Sequence, residues 1–191
     1  MKVIIIEGPD NCGKNTLIQN IVDNNDVVKV IHCQKPDKND PNPFMTMEKI
    51  YLYHAENVIK DNIKGHTDVL IFNRYYQSEY IYGQLYRGGD PEKIKQMIYM
   101  LESYLTNNIG YDNIYYVQLM SDSVKLLIDN EDGKSLSNGK EEQIIKELEL
   151  FKDIFDFCKI KKKMIYINNG DSFKTKEDIL KDFTDFINTG E

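Results

Sequence analysis

The sequence predicts an α/β fold in which helices cover both faces of a five-stranded parallel sheet. Short apolar segments alternate with longer segments whose apolar residues recur at helical spacing. The first apolar segment, residues 2–8, ends in glycine and is followed directly by a helical pattern. Such alternation produces parallel sheets, which bind ligands at the carboxyl ends of their strands.

Each element is placed by its own local pattern. Apolar runs predict strands at residues 2–8, 27–33, 68–73, 113–120 and 164–168. Helical spacing predicts helices at residues 15–22, 45–63, 77–86, 91–105 and 144–155, with a final helix after the last strand. The lysines at 161–163 are interpreted as the solvated end of the preceding helix.

One polar segment, at about residues 129–141, contains glycine and has no periodicity. It is predicted to be a mobile lid between two helices. Its cations, Lys134 and Lys140, are expected to close over bound phosphates. No repeat or linker interrupts the pattern, so residues 1–191 are predicted to form a single domain.

The first glycine-rich turn reads EGPDNCGKNT. Gly8, Gly13 and Lys14 match G-x-x-x-x-G-K, a pattern whose backbone N–H groups surround phosphates at the start of a helix. Asn11 and Cys12 belong to the same turn and are expected to share in phosphate binding. Lys14 is expected to reach the β and γ oxygens. The turn therefore predicts an ATP site.

The position after this lysine departs from the pattern. A serine or threonine normally holds Mg²⁺ there, whereas this chain has Asn15 and delays its hydroxyl to Thr16. Asn15 can offer an amide oxygen to the ion or bind one of its waters. Thr16 is the substitute, although one residue further along turns the side chain by about 100°. The sequence predicts Mg²⁺ as a weakly held cofactor.

Composition limits the partners and the compartment. The net charge is 24 − 31 = −7, which disfavours a polynucleotide partner. Three cysteines without a C-x-x-C pair favour a reducing compartment, and the cytoplasm is the expected location. No apolar run approaches the about 18 residues that a membrane span needs.

Arginine is rare in this chain. All but two of its 24 basic residues are lysines, and the two arginines, Arg74 and Arg87, lie in one short segment. Planar bidentate binding of phosphate is a property of arginine rather than lysine. Arg74 is therefore expected to bind phosphate, and Arg87 is expected to lie behind it or to cap a helix carbonyl.

Two motifs resemble those of thymidylate kinases, which belong to the P-loop nucleoside monophosphate kinases. The loop G-x-D-x-x-G-K of that family matches at Gly8, Asp10, Gly13 and Lys14. The later block D-R-Y-x-x-S-x-x-A-Y-Q is similar to NRYYQSEYIYG, which begins one residue before Arg74. The resemblance implies a kinase that uses ATP and Mg²⁺.

The resemblance also implies roles on the acceptor side. Asp10 is expected to contact the sugar hydroxyl, Arg74 the acceptor phosphate, and Tyr82 the sugar and base edge, with Ser78 on the same helix face as Tyr82. The family's F-x-x-x-R segment aligns with YHAEN, so that Tyr53 would contact the base and Asn57 would replace an arginine.

Several positions depart from the family pattern. The aspartate that supports magnesium is replaced by Asn73, the R-E-P turn is QKP with Lys35 as the remaining phosphate contact, and the closing glutamine is Gly83. No arginine occurs in the loop or in the predicted lid. Because phosphoryl transfer depends mostly on positioning and charge neutralisation, lysine can take over part of that role.

The expected function is transfer of the γ-phosphate of ATP to a deoxynucleoside monophosphate, above all dTMP, with relaxed pyrimidine tolerance. One alternative is a deoxynucleoside kinase, which needs a carboxylate base such as Glu7 or Asp10. Another is a nucleotide-binding regulator without catalysis. The family resemblance implies a homodimer. The frequent Lys, Asn, Ile and Tyr residues are typical of an AT-rich coding genome, which suits a phage or viral source acting in host cytoplasm.

Overall fold

The computed structural model describes residues 1–24, 27–37, 39–65, 67–131, 133 and 135–190. Five parallel strands form one sheet in the order β2-β3-β1-β4-β5. They are β1 (Lys2–Glu7), β2 (Val28–His32), β3 (Val69–Asn73), β4 (Ile114–Met120) and β5 (Lys161–Tyr166). A short antiparallel hairpin follows, formed by β6 (Asn168–Asn169) and β7 (Ser172–Phe173). The predicted five-stranded parallel sheet is confirmed.

Helices connect the strands and pack in two groups. They are α1 (Lys14–Asp23), α2 (Pro43–Lys64), α3 (Gln77–Arg87), α4 (Pro91–Ile109), α5 (Val124–Asp129), α6 (Glu141–Phe157) and α7 (Lys176–Thr189). Helix α1 packs against α7, whereas α3 contacts α2, α4 and α6. Within the described ranges, no helix has the length and apolar character needed to span a bilayer.

The core lies around the two central strands. All seven residues of β4 are buried, as are the last five of β1. Strands covered on both faces read as continuous apolar runs, which explains why these two were recognisable in the sequence. Burial of both faces fixes the position of β1 in the sheet, and therefore the position of the loop that follows it.

The interpretation of the lysine run was wrong. Lys161–Lys163 begin β5 and pair in register with β4, because α6 already ends at Phe157. Strand β5 lies at the edge of the sheet, where lysines are tolerated. Lys161 pairs with Asp112 at 2.9 Å, and Lys162 Nζ donates to the carbonyl oxygens of Phe155 and Cys158 at the end of α6.

Gly8 lets the chain pass close to the backbone of β4 as it leaves β1. Its φ is +142°, and a Cβ built there would lie 2.2 Å from the carbonyl oxygen of Leu119. Backbone atoms cannot move aside as a flexible side chain can. The close approach of these two strands therefore requires glycine at this position.

Gly8→Ala is expected to destabilise the fold more than Gly65→Ala. Gly65 also has a positive φ, but a Cβ there meets nothing within 4 Å. The control should cost about 1–2 kcal/mol for its left-handed backbone, and Gly8→Ala about 1–3 kcal/mol more because of the backbone clash. Denaturant unfolding of both variants measures the difference, and equal losses would show that the close approach at Gly8 is not a constraint.

Candidate active site

Three cavities meet around the loop between β1 and α1. The central cleft has a volume of about 510 Å³ and opens at the carboxyl ends of the strands. It is lined by Asp10, Asn11, Gly13, Lys14, Asn15, His32, Cys33, Lys35, Asn73, Arg74, Asn130 and Ser135. The structure thus brings most of the residues predicted for phosphate binding to one place.

Lys14 is folded against the loop that precedes it. Its Nζ donates to the carbonyl oxygens of Gly8 at 3.0 Å and Pro9 at 2.6 Å, and the residue is 8% exposed. Burial, together with the neighbouring Arg74, lowers the pKa of Lys14 below its ordinary value. The loop therefore holds a cation in place before any anion binds.

Arg74 adopts a backbone conformation that is rare for residues other than glycine. Its φ is +66°, and its N–H donates to the carbonyl of Ile6 at 3.0 Å. Strained backbone of this kind often lies at functional sites. Here it turns the guanidinium from the end of β3 towards the loop after β1.

The Arg74 guanidinium is held on several sides. It binds Asp10 Oδ1 at 2.5 Å and the carbonyl oxygen of Gly8 at 2.8 Å, and it lies 3.7 Å from Glu7 Oε2. The ring of Tyr82 lies beneath it, with its centroid 4.9 Å from Cζ. Arg74 lines both the central cleft and a second cavity, which makes it the link between them.

Glu7 fixes the start of α3 rather than facing a cavity. It is fully buried and accepts hydrogen bonds from the N–H of Tyr75 at 2.7 Å, the N–H of Ser78 at 3.2 Å and the Ser78 hydroxyl at 2.6 Å. Burial raises the pKa of Glu7, and Arg74 and the Ser78 hydroxyl oppose that shift. Because it already accepts three hydrogen bonds and lines none of the three cavities, this carboxylate is not accessible to an incoming hydroxyl.

Asp10 is the carboxylate that both cavities share. Burial alone would raise its pKa, but Arg74 and Lys14 outweigh burial and hold the pKa of Asp10 below its ordinary value. Asp10 is therefore ionised and bound to a guanidinium. It can accept a hydrogen bond from a ligand hydroxyl, but it is a weak proton acceptor.

The second cavity, here called the tyrosine pocket, lies between α2 and α3. It is lined by Asp10, Cys33, Gln34, Lys35, Pro36, Met47, Tyr51, Arg74, Tyr75, Ser78, Tyr82, Arg87 and Leu136. At about 50 Å³ it is far smaller than the central cleft. Lys35, Ser78 and Tyr82 line this pocket together with Arg74, and their contacts with an acceptor stay a prediction.

Tyr53 and Asn57 are not brought into this pocket. Tyr53 is 63% exposed, and neither residue lines the cavity. The buried face of α2 instead carries Met47, Tyr51 and Ala55. Two residues along a helix turn a side chain by about 200°, so Tyr51 and Tyr53 point in nearly opposite directions. Tyr51, rather than Tyr53, is the tyrosine of α2 that lines the pocket.

The side chains at the predicted metal position bind one another. Asn73 Nδ2 lies 2.7 Å from Asn15 Oδ1 and 3.1 Å from His32 Nδ1. Within the described part of the chain, no group of three or more His, Cys, Asp or Glu residues is arranged to hold a metal ion. Thr16 faces away from this cluster and lines a third cavity.

This third cavity, the α1–α7 pocket, measures about 280 Å³. It is lined by Asn11, Cys12, Gly13, Thr16, Leu17, Asn20, Ile167, Phe173, Lys174, Lys176 and Ile179. The β6–β7 hairpin contributes Phe173, whose ring is 44% exposed. The lining of this pocket thus combines apolar side chains, two lysines (Lys174 and Lys176) and part of the loop that precedes Lys14.

The segment predicted to be a lid contacts the loop after β1 through an acidic residue. Glu131 Oε2 accepts from Asn11 Nδ2 at 3.2 Å and from the Ser135 hydroxyl at 2.5 Å. Lys140 directly precedes α6 and lines none of the three cavities. Lys134 lies outside the described residues. Closure of a lid lysine over phosphates therefore stays a prediction.

Residues that the sequence analysis missed include His32, Tyr51 and Glu131. His32 ends β2 beside Asn73, a neighbour that becomes evident only from the sheet order. Tyr51 could have been found from the spacing of apolar residues Met47, Tyr51, Ala55 and Val58 along α2. Nothing in the sequence pattern indicates the contact between Glu131 and the loop.

Sheet order, loop and helix placement together define the fold of the P-loop nucleotide kinases. No protein-family model and no curated protein sequence matches the chain. Among solved structures, it is similar to the YorR protein of Bacillus subtilis in complex with phosphorylated GDP, with a TM-score of 0.67, 15% identity and coverage of 98% of this chain and 96% of that one.

Two thymidylate kinases are also similar in structure. The Ehrlichia chaffeensis enzyme gives a TM-score of 0.63 at 12% identity, with 97% of this chain and 98% of that one covered. The Candida albicans enzyme, whose structure was described as revealing broad substrate specificity, gives 0.58 at 16%, with 98% and 91% covered. At these identities the comparisons establish a shared fold.

Proposed function

We propose that the protein transfers the γ-phosphate of ATP to a deoxynucleoside monophosphate, with dTMP as the preferred acceptor. The observation that carries this proposal is the position of Arg74, which lines both the central cleft and the tyrosine pocket. A guanidinium there can neutralise charge on a donor phosphate and on an acceptor phosphate at once.

The donor would occupy the central cleft and the α1–α7 pocket. Backbone N–H groups at the start of α1 and the ammonium of Lys14 provide positive charge for the triphosphate. The α1–α7 pocket adjoins the same loop and offers Phe173, Leu17 and Ile179 as an apolar wall for the adenine. Binding of the triphosphate requires Lys14 Nζ to exchange loop carbonyls for phosphate oxygens.

The acceptor would place its phosphate near Arg74 and Lys35 and its base in the tyrosine pocket. Asp10, ionised and accepting only, suits a sugar hydroxyl at the boundary between the two cavities. Met47, Tyr51 and Tyr82 provide apolar and aromatic surface around the base.

The state of the carboxylates favours a monophosphate over a nucleoside acceptor. A nucleoside hydroxyl needs a general base, but Glu7 is enclosed by hydrogen bonds and the pKa of Asp10 is held low by Arg74. An acceptor phosphate is already largely ionised near neutral pH and needs no such base. Transfer then depends on how Lys14 and Arg74 hold the two phosphates in line.

Mg²⁺ fits this site as a companion of ATP rather than as an ion bound by the protein. Asn15, Asn73 and His32 offer amide and imidazole groups but no carboxylate. Such groups can hydrogen-bond to waters of a hydrated ion whose charge is balanced by phosphate oxygens. The ion would supply charge neutralisation at those oxygens, and the asparagines would orient its waters.

Asn73→Asp is expected to reduce the Mg²⁺ concentration needed for half-maximal activity, because it places a carboxylate beside Asn15. Titration of ADP formation with MgCl₂ at fixed ATP measures this change. Asn108→Asp, on the exposed face of α4, adds the same charge away from the site and should leave the titration unchanged. Identical curves for wild type and Asn73→Asp would contradict the placement of the ion near Asn73.

Acceptor-dependent ADP formation tests the proposed reaction. We expect dTMP and dUMP to stimulate ADP release strongly, and thymidine to do so weakly. Lys14→Ala should lower the maximal rate by at least about 100-fold, because it removes charge that stabilises the transferring phosphoryl group. Lys152→Ala, on the exposed face of α6, serves as the control.

The same assay separates the alternatives. A faster rate with thymidine than with dTMP would identify a nucleoside kinase. Binding of ATP without acceptor-dependent ADP release would identify a regulator that has lost catalysis, the alternative favoured by the carboxylate-free cluster around Asn73.

A further inference from the structure

Three polar side chains from three different elements meet at one place in the central cleft. His32 is the last residue of β2, Asn73 is the last residue of β3 and pairs with it in register, and Asn15 lies in the first turn of α1. All three residues line the cleft that the proposed function assigns to the triphosphate. The proposed transfer gives the imidazole of His32 no specific task.

Lone pairs of two different side chains face the same amide group in this cluster. The side-chain nitrogen of Asn73 lies 2.7 Å from Asn15 Oδ1 and 3.1 Å from His32 Nδ1. Because an amide nitrogen can only donate, both partner atoms accept from it. An oxygen and an imidazole nitrogen therefore present lone pairs to one region of the cleft, as the ligands of a metal ion do.

The spacing of these atoms fits an octahedral coordination shell. Bonds of about 2.1 Å to an octahedral ion leave neighbouring ligands about 3.0 Å apart, close to both distances in the cluster. A half-turn about the Cβ–Cγ bond of Asn73 exchanges its amide nitrogen and oxygen. That rotation brings its oxygen towards Asn15 Oδ1, and the two oxygens repel unless a cation lies between them. Ion binding and rotation of Asn73 are therefore coupled.

The surrounding charges determine when an ion can bind. Lys14, Lys35 and Arg74 line the same cleft, and its carboxylate, Asp10, is paired with Arg74. A bare divalent cation is repelled by this environment, whereas an ion that arrives with a triphosphate brings negative oxygens with it. The cluster is thus suited to complete the coordination of an ion that a nucleotide already holds.

The imidazole distinguishes between divalent ions. Mg²⁺ prefers oxygen ligands and gives up its waters reluctantly, so it would contact His32 only through its hydration shell. Transition-metal ions accept imidazole nitrogen readily, and their affinity for such ligands rises from Mn²⁺ to Co²⁺ and Ni²⁺. A histidine beside the phosphates therefore favours these ions over Mg²⁺.

We propose that His32 is a direct ligand of a transition-metal ion that accompanies the triphosphate, and that it makes the cleft prefer Mn²⁺ and Co²⁺ complexes over those of Mg²⁺. The inference rests on the proposed function, which places the triphosphate in the central cleft. Asn15 and the rotated amide of Asn73 would provide oxygen to the same ion. The replacement of hydroxyl and carboxylate groups around the metal then changes which ion is used rather than abolishing its use.

Pulsed electron paramagnetic resonance of Mn²⁺ tests the direct bond. The ion is bound together with the β,γ-methylene analogue of ATP, which cannot transfer its phosphate and has no nitrogen in the phosphate chain. We expect the wild-type protein to show spin-echo modulation from a coordinated nitrogen, and His32→Gln to lose it. His54→Gln is the matched control, because His54 packs against Phe72 and Tyr75 on α2 and lines none of the three cavities.

Calorimetry with preformed complexes of the same analogue measures the preference. The wild-type protein should bind the Co²⁺ complex at least about tenfold more tightly than the Mg²⁺ complex, because only Co²⁺ gains the imidazole. His32→Gln should bring the two affinities within about threefold of each other and leave that for the Mg²⁺ complex nearly unchanged. His32 is exposed, so the variant should keep the wild-type circular dichroism spectrum.

The outcomes separate this inference from the proposed function. Bound Mn²⁺ without nitrogen modulation, modulation that persists in His32→Gln, or equal wild-type affinities for the Co²⁺ and Mg²⁺ complexes would overturn the inference. Nitrogen ligation lost in His32→Gln, but without acceptor-dependent ADP release from ATP, would contradict the kinase proposal and support His32 as a ligand. Failure to bind any of the metal–nucleotide complexes would contradict both.

Discussion

One guanidinium, that of Arg74, ties together the parts of the molecule that form the site. Arg74 follows the last residue of β3 in a left-handed backbone conformation. Its guanidinium reaches Asp10 and the Gly8 carbonyl in the loop after β1. Behind it, Glu7 anchors the first residues of α3 through Tyr75 and Ser78. The ends of two strands and the start of one helix are thus fixed relative to one another, and both ligand cavities open on this junction.

Both arginines of the chain line the tyrosine pocket and are paired with carboxylates. Arg74 is supported by Glu7 and Asp10, and Arg87 by Glu79, so that each cation reaches a cavity with a carboxylate behind it. Partial burial removes competing water and strengthens the interaction of each cation with its carboxylate. In a chain that otherwise uses lysine, planar donors are retained at two positions beside the tyrosine pocket.

The sequence predicted the strands and the loop that form the site better than the individual side chains that line the cavities. The strands, the glycine loop and Arg74 were predictable because burial on both faces and the loop pattern leave direct traces in the sequence. The face of α2 that lines the tyrosine pocket was not, since an error of two residues in helical phase exchanges buried Tyr51 for exposed Tyr53. The ion pair between Arg87 and Glu79 depends on the space that Gly83 leaves for the carboxylate, a relation visible only in three dimensions.

The central claim is that Arg74 binds the phosphate of a monophosphate acceptor, and the affinity of Arg74→Lys for dTMP and for thymidine tests it most directly. Lysine preserves the charge beside Asp10 and Glu7 but cannot form the planar two-point contact. The account predicts that dTMP binding weakens at least about tenfold while thymidine binding is unchanged, since a charge-assisted hydrogen bond contributes about 1.5–3 kcal/mol. An equal effect on both ligands, or no effect on dTMP, would contradict it.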